Sequence, residues 1–353
     1  MTSGSPAQII RDAIAQQVFP GAVHAVGLPD GNVISQAYGA YRYETDAPAV
    51  TVDTCYDWAS LTKILCATAV LRLVSVGVVR LDDPIQAFLP QSAAYGVTVR
   101  HLLTHTSGLD IRLSTGAAAG ANALWQAVYQ TVPRDQPGVR VAYANVNTLL
   151  LGALLERVCG VGLDMVLADL VYAPVGMTQT QYCPAPAVAH SYPPTENDPL
   201  RGVIQGSVHD ESTAALGGVA GHAGVFGSAA DAIRFCQGWL ATLRGESPWE
   251  IDVTLARAAV TNQSPAGQLG CGYGWMLARE QFMGAAHAET AAHTGFTGPV
   301  LAIVPRADYC WVLLSNRTWP QRTPMRHHPV TAAVSSAQWQ ARGALADILS
   351  GYV

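Results

Sequence analysis

Ser60 and Lys63 stand three residues apart in YDWASLTKILCATAV, at the head of a long apolar run. Three residues is close to one helical turn, so a helix starting here puts both side chains on one face. A serine hydroxyl is a weak nucleophile until a neighbouring base takes its proton, and an amine held out of water can be that base. Lys63 is the single lysine in a chain with 19 arginines. A guanidinium keeps its proton in a protein, whereas an ammonium can lose one. The one position that retains an ammonium is therefore one whose proton can move. The plainer alternative has Ser60 capping a helix and Lys63 reaching for solvent, but the flanks are almost wholly apolar, a poor setting for a solvated lysine.

Two further segments carry candidate chemistry. In PGVRVAYANVNTLLLGALLE, Tyr143 and Asn145 sit where a loop meets a helix whose apolar pattern begins at Val146. There a phenol can face a site and an amide can offer both a donor and an acceptor; the alternative is a packed tyrosine and an asparagine N-cap. In AAHTGFTGPVLAIVPRADYCWVLLSNR, His293, Thr294 and Gly295 lead into a strand, and Gly295 and Gly298 let backbone pass close to another group. A strand edge with free N–H groups beside a nucleophile makes an oxyanion hole and a docking rail for substrate.

These residues need elements to hold them. Pro6–Gln17 reads as a helix, followed by strands over Ala22–Leu28 and Asn32–Tyr38 joined by a Pro-Asp-Gly turn. Leu61–Val79 is apolar on nearly all sides, as a buried helix is. Helical patterns broken by Pro and Gly follow from about 82 to 200, including Asn145–Cys159 and Leu163–Tyr172. Strands return at Val300–Val304 and Tyr309–Ser315 across a turn-like Pro-Arg-Ala-Asp, and a helix closes the chain over about Ser335–Ser350. The uncharged Gly/Ala-rich run 214–230 reads as a packed loop. The expected architecture is α+β: an antiparallel sheet built from both chain ends and flanked by helices (1–81 and 220–353), a mostly helical insertion (82–219), and the site at their junction.

Composition narrows the function classes. Half the residues are hydrophobic, 13% are charged and the formal net charge is −5, so no basic footprint points to nucleic acid or an anionic membrane. No apolar stretch is long enough to span a bilayer. The opening residues lack a basic start and an unbroken apolar run. The expectation is a cytoplasmic protein on the sequence given, or a periplasmic or secreted one if the chain is a trimmed form. Seven scattered cysteines form no C-x-x-C pair and have no histidine at ligand spacing, so free thiols are expected rather than a zinc site or a disulfide framework, with Cys55 as buried filler. No metal or cofactor is expected, and the partner is a small-molecule or short peptide substrate.

In order and spacing, ASLTK, YAN and HTG resemble the S-x-x-K, Y-x-N and K-T-G elements of penicillin-recognising serine hydrolases. The chain is most similar to the group of class C β-lactamases, D-alanyl-D-alanine carboxypeptidases and β-lactamase-like esterases. HLLTHTSGLD (101–110), VHDESTAALGGVAGHAGVFGSAADAIRF (208–235) and LLSNR (313–317) extend the resemblance to about residues 7–350. It implies that Ser60 forms the acyl-enzyme, that Lys63 shares its proton, and that Tyr143 relays a proton to the leaving group. It further implies that Asn145 binds an amide of the acyl side chain, that Thr294 and Gly295 line the docking strand, and that the N–H groups of Ser60 and Phe296 form the oxyanion hole. His105 with its following turn, and His222, are expected to be structural.

One departure bears on substrate. His293 stands where the family more often has lysine, so a permanent cation for a substrate carboxylate is replaced by an imidazole that, unperturbed, titrates near pH 6.5. The expected function is hydrolysis of an ester or amide through an acyl-enzyme, with a small ester ahead of a D-amino-acid peptide and a β-lactam. The alternative is a non-catalytic or acyl-trapping penicillin-binding sensor of the same fold. An α/β-hydrolase is disfavoured because no G-x-S-x-G occurs. If Lys63 is a base, Lys63→Arg keeps a cation yet should lower kcat/KM by several orders of magnitude. Activity within about tenfold, or ~1.4 kcal/mol of barrier, would remove Lys63 from the chemistry.

Overall fold

Val300–Val304 and Tyr309–Ser315 form adjacent antiparallel strands, with Val300 opposite Leu313 and Val304 opposite Tyr309. Every residue of both is buried. The reason is a core on each face. Leu301, Ile303, Val312 and Leu314 point into one cluster, while Val300, Ala302, Val304 and Trp311 point into another, which is why the runs are uniformly apolar instead of alternating with polar residues. The computed structural model describes residues 4–322 and 327–350, without the side chains of Thr115 and 342–350. The sequence-based bounds at 1–3, 323–326 and 351–353 lie outside the described residues.

The two strands are the centre of a six-stranded sheet. In order, its strands are Val33–Gly39, Gly21–Gly27, Tyr309–Ser315, Val300–Val304, Ala291–Thr294 and Met276–Leu277. Every neighbouring pair is antiparallel. The strand from the start of the chain lies directly against the one near its end, Ala22 opposite Ser315 and Gly27 opposite Cys310. Helix Pro6–Ala15, capped by Ser5 with Pro6 in its first turn, covers one face beside the closing helix His327–Ser350. Helix Ala229–Arg244, capped by Ser228, covers the other with Ile233, Cys236 and Trp239.

Several expected boundaries shift for local reasons. The first helix stops at Ala15 because Gln17 takes a left-handed φ of 54°. The buried helix runs Thr62–Ser75, ending just before Gly77 at φ 77°. The closing helix starts at His327, eight residues earlier than its apolar pattern suggests, with Pro329 in the first turn where its missing N–H costs nothing. The 214–230 run is not all loop. It ends helix Glu211–Ala215, supplies the buried strand Val225–Gly227 and begins the next helix. No single helix among the described residues is long and apolar enough to cross a membrane.

Strand Val225–Gly227 positions the segment that carries Ser60. It pairs with Tyr56–Asp57 on one side and Gln181–Tyr182 on the other. Trp58 donates its N–H to Val225 O at 2.8 Å and its indole N–H to Gly227 O at 3.0 Å. Just upstream, Gly221 crosses helix Asn145–Cys159 at backbone contact. A Cβ on Gly221 would lie 2.1 Å from Thr148 O and about as close as Gly152 allows. Gly221→Ala should therefore overpack this crossing and lower stability by roughly 1–3 kcal/mol. Urea unfolding checks it, and an unchanged midpoint would mean that helix and loop part freely.

Candidate active site

Ser60 lies in a single 3-10 turn, Ala59–Leu61, that leads into helix Thr62–Ser75. Neither helix uses it as a cap: Trp58 and Leu61 hold the cap positions, with no side-chain hydrogen bond. Lys63 does not reach solvent either, being 1% exposed. Its Nζ is 2.9 Å from Ser60 Oγ and donates to the carbonyl oxygen of His222 at 2.8 Å. Burial lowers its pKa to about 7, opposed by the negative charge of Asp210. A substantial fraction of Lys63 is then neutral near pH 7, with a lone pair beside the serine proton.

Asp210 is held ionised although burial works against it. Its Oδ1 accepts from His222 Nε2 at 3.1 Å, Ser212 Oγ at 2.5 Å and Thr213 N–H at 2.8 Å, and these bonds keep its carboxyl well below the usual range. His222 is fully buried and is a packing and bridging residue, as expected; its functional contact is the backbone carbonyl on Lys63.

Tyr143 forms the third corner. Its ring centroid is 5.2 Å from Lys63 Nζ. The residue as a whole is 47% exposed, whereas its phenol end is desolvated and meets Ser60. Desolvation at that end raises the phenol well above its ordinary value, and the Ser60 hydrogen bond opposes the rise. Tyr143 therefore remains a protonated donor while Lys63 is the group that ionises within the working pH range.

Histidines flank the phenol. The rings of His105 and Tyr143 lie 4.7 Å apart, and those of Tyr143 and His293 6.1 Å apart. His105, at φ 54°, takes Ala142 N–H on its carbonyl at 2.8 Å. Its Nδ1 faces two donors, Asn147 Nδ2 at 2.9 Å and Ala144 N–H at 3.4 Å, which puts its proton on Nε2. The HTSG run is thus more than a turn: His105 holds the backbone on both sides of Tyr143. The sequence offered the run but not the left-handed φ that aims the ring.

His293 corrects an expectation. It is 1% exposed, and burial, then Lys63 and His105, lower its pKa to about 3. It is neutral throughout the physiological range and cannot be the titrating cation foreseen from its intrinsic pKa. Its Nδ1 lies 3.0 Å from Thr294 O and donates to it. Asn145 is not the helix cap, which is Ala144; it is the first helical residue, half-buried, and its side chain bonds to no described residue. Thr294 is half-buried on the strand facing Val300. Gly295 is required where it stands, since a Cβ would lie 2.5 Å from Trp58 O. Phe296 is 39% exposed at the cleft rim, and its N–H, like that of Ser60, has no hydrogen-bond acceptor among the described residues. Cys55 is no rival nucleophile, because burial pushes its thiol up to about 12.

A profile of the β-lactamase family matches residues 6–334. The chain belongs to the β-lactamase family. Among curated relatives of this β-lactamase-family chain, a putative D-alanyl-D-alanine carboxypeptidase from Escherichia coli K12 is 28% identical over 92% of this chain and 87% of its own. In fold it resembles the hydrolase EstCE1, described as having promiscuous acyltransferase activity (TM-score 0.73, 23% identity, 94% of this chain and 97% of that one). It also resembles a simvastatin synthase from Aspergillus terreus (TM-score 0.75, 20% identity, 96% and 97%). The β-lactamase-family fold is the antiparallel sheet with flanking helices described above, and the protein is of the serine acyl-transfer hydrolase kind.

If neutral Lys63 accepts the serine proton, kcat/KM for an ester should rise with pH through a midpoint near 7 and level off above it. Asp210→Asn removes the charge that holds Lys63 up, so the midpoint should move to lower pH. A midpoint that stays put or climbs would exclude Asp210 from this electrostatic role.

Proposed function

We propose that this protein hydrolyses a small ester lacking a carboxylate, through a Ser60 acyl-enzyme. The observation that carries the reading is the 2.9 Å contact between Ser60 Oγ and a fully buried Lys63 whose pKa is lowered to about 7. Neutral Lys63 takes the Ser60 proton as Oγ attacks the carbonyl carbon. The oxyanion that forms is held by the N–H groups of Ser60 and Phe296. As the tetrahedral species collapses, the ester C–O bond breaks, and the proton passes from Lys63 through the Tyr143 hydroxyl to the leaving alkoxide. Water then attacks the acyl-enzyme by the same steps in reverse, releasing the acid and restoring the Ser60 hydroxyl.

The substrate preference rests on charge. His293 is neutral; of the two guanidiniums over the Phe296 ring, Arg317 at 4.6 Å is buried, and Arg322 at 6.0 Å is engaged by the carboxylates of Glu196 and Glu211. A substrate carboxylate would gain little here, whereas a neutral ester needs no such partner. D-amino-acid peptides and β-lactams follow in preference, both as carboxylates.

Intact-mass spectrometry after mixing with a p-nitrophenyl ester and, separately, with penicillin tests the reading. Ser60 should carry the acyl group, the ester should turn over, and Ser60→Ala should abolish labelling. A label on another residue would overturn it, and an adduct that never hydrolyses would make the protein an acyl-trapping sensor. The ratio of kcat/KM for an anionic over a neutral ester should stay level from pH 8 to 5.5. His293→Lys should raise it by about five- to thirtyfold, equivalent to ~1–2 kcal/mol in a partly screened cleft.

A further inference from the structure

Asp57 is buried and carries a carboxylate with no cationic partner among the described residues. Its Oδ1 accepts the N–H of Ala59 at 2.8 Å and its Oδ2 the N–H of His209 at 2.8 Å. The side chain of His209 is occupied elsewhere, 2.7 Å from Glu196. Packing gives no reason for such a group, since an isolated buried carboxylate is among the costliest things a core can hold. Its backbone oxygen in turn accepts the Thr297 hydroxyl at 2.8 Å.

We propose that Asp57 is a positioning residue that sets both N–H donors of the oxyanion hole. The proposal rests on the acyl-enzyme reading above. Ala59, whose N–H it holds, has a φ of 45°, a left-handed conformation that side-chain-bearing residues avoid. The carbonyl of Ala59 accepts the Thr62 hydroxyl at 2.8 Å. Because a trans peptide is planar and its C=O and N–H point opposite ways, fixing that carbonyl toward Thr62 turns the Ser60 N–H away from it, toward the cleft. Asp57 thus fixes one side of Ala59 and Thr62 the other, and the donor between them has no freedom left. The second donor is fixed through the same residue. Thr297, tied to Asp57 O, directly follows Phe296, and Gly295 before it rests against Trp58 O with no room for a Cβ. One buried residue therefore spans the two segments that must present converging N–H groups.

The distinguishing feature is coupling to Ala59. Asparagine at 57 keeps the size but puts an NH2 against one backbone donor, so its grip on Ala59 or His209 is lost. Asp57→Asn should lower kcat for a p-nitrophenyl ester by about 30–100-fold, somewhat less than removal of a whole oxyanion donor, with KM within about threefold. Affinity for an alkylboronic acid, which forms a tetrahedral anion on a serine, should fall in parallel. Glycine takes a left-handed φ without strain, so in an Ala59→Gly background the same Asp57→Asn change should cost less than about fivefold. An equal kcat loss in both backgrounds, or a loss confined to KM, would overturn the proposal. Should Asp57→Asn fail to fold, Thr297→Val carries the test. A fall in boronate affinity of about fivefold or more at unchanged KM supports the role, and unchanged affinity overturns it. Fluorophosphonate labelling separates the two readings: with Ser60 labelled in every variant, a failed coupling removes Asp57 alone, whereas a label elsewhere in the unmodified protein removes the acyl-enzyme too.

Discussion

The structure turns on one interaction, an ammonium withdrawn from water and set beside a serine hydroxyl. Taking Lys63 out of solvent lowers its pKa from 10.5 to about 7, and a displaced pKa of that size is a free-energy difference the rest of the molecule must sustain. The fold sustains it with few polar atoms: the Ser60 hydroxyl, the His222 carbonyl and the nearby charge of Asp210. They come from two distant parts of the chain. Ser60 sits in the 3-10 turn that leads into the Lys63 helix, while His222 and Asp210 lie on the segment that crosses helix Asn145–Cys159 at Gly221. A protein selected only for stability would put a methylene chain here, so the buried amine marks where stability yields to chemistry.

The same burial fixes the charge state of the surroundings. His105 and His293 sit on either side of Tyr143, each lowered to about 3 by desolvation with Lys63 adding to the effect. A second cation in this space would hold Lys63 neutral too readily and compete for its hydrogen bonds. Neutral imidazoles instead supply flat, polar walls for the phenol, and add no charge of their own to the surroundings of Lys63. Position 293 thus separates two jobs that a lysine would merge, shaping the site and attracting an anion.

Much of this was legible in the residues because local pattern and tertiary role agree. Asn145–Cys159, Val300–Val304 and Tyr309–Ser315 run to the expected residues, since uniform apolar runs bounded by turn chemistry are buried on all sides. Ser60 with Lys63 was legible because a lone lysine in apolar surroundings is informative in itself. What stayed hidden depends on partners distant in sequence. The two-residue strand Tyr56–Asp57 exists only because Val225–Gly227 pairs with it. The neutrality of His293 is set by its burial and then by Lys63 and His105, and an intrinsic pKa carries no trace of them. Left-handed Ala59 and His105 leave no mark at all, because neither residue type announces that conformation. Asp57 was passed over for the same reason: its acceptors serve backbone donors, and backbone donors are silent in a sequence.

The interleaving of the chain ends also bears on how the protein is made. Gly27 and Cys310 meet across the sheet although 283 residues separate them. A ribosome adding roughly 5–20 residues per second delivers the second strand some 15–60 s after the first. Throughout that interval Gly21–Gly27 can pair only with its hairpin neighbour Val33–Gly39, and its other edge stays open. An apolar strand with one unsatisfied edge is a template for intermolecular pairing. Nascent chains of this protein therefore carry an adhesive edge for the whole time the ribosome takes to make the residues between the two strands.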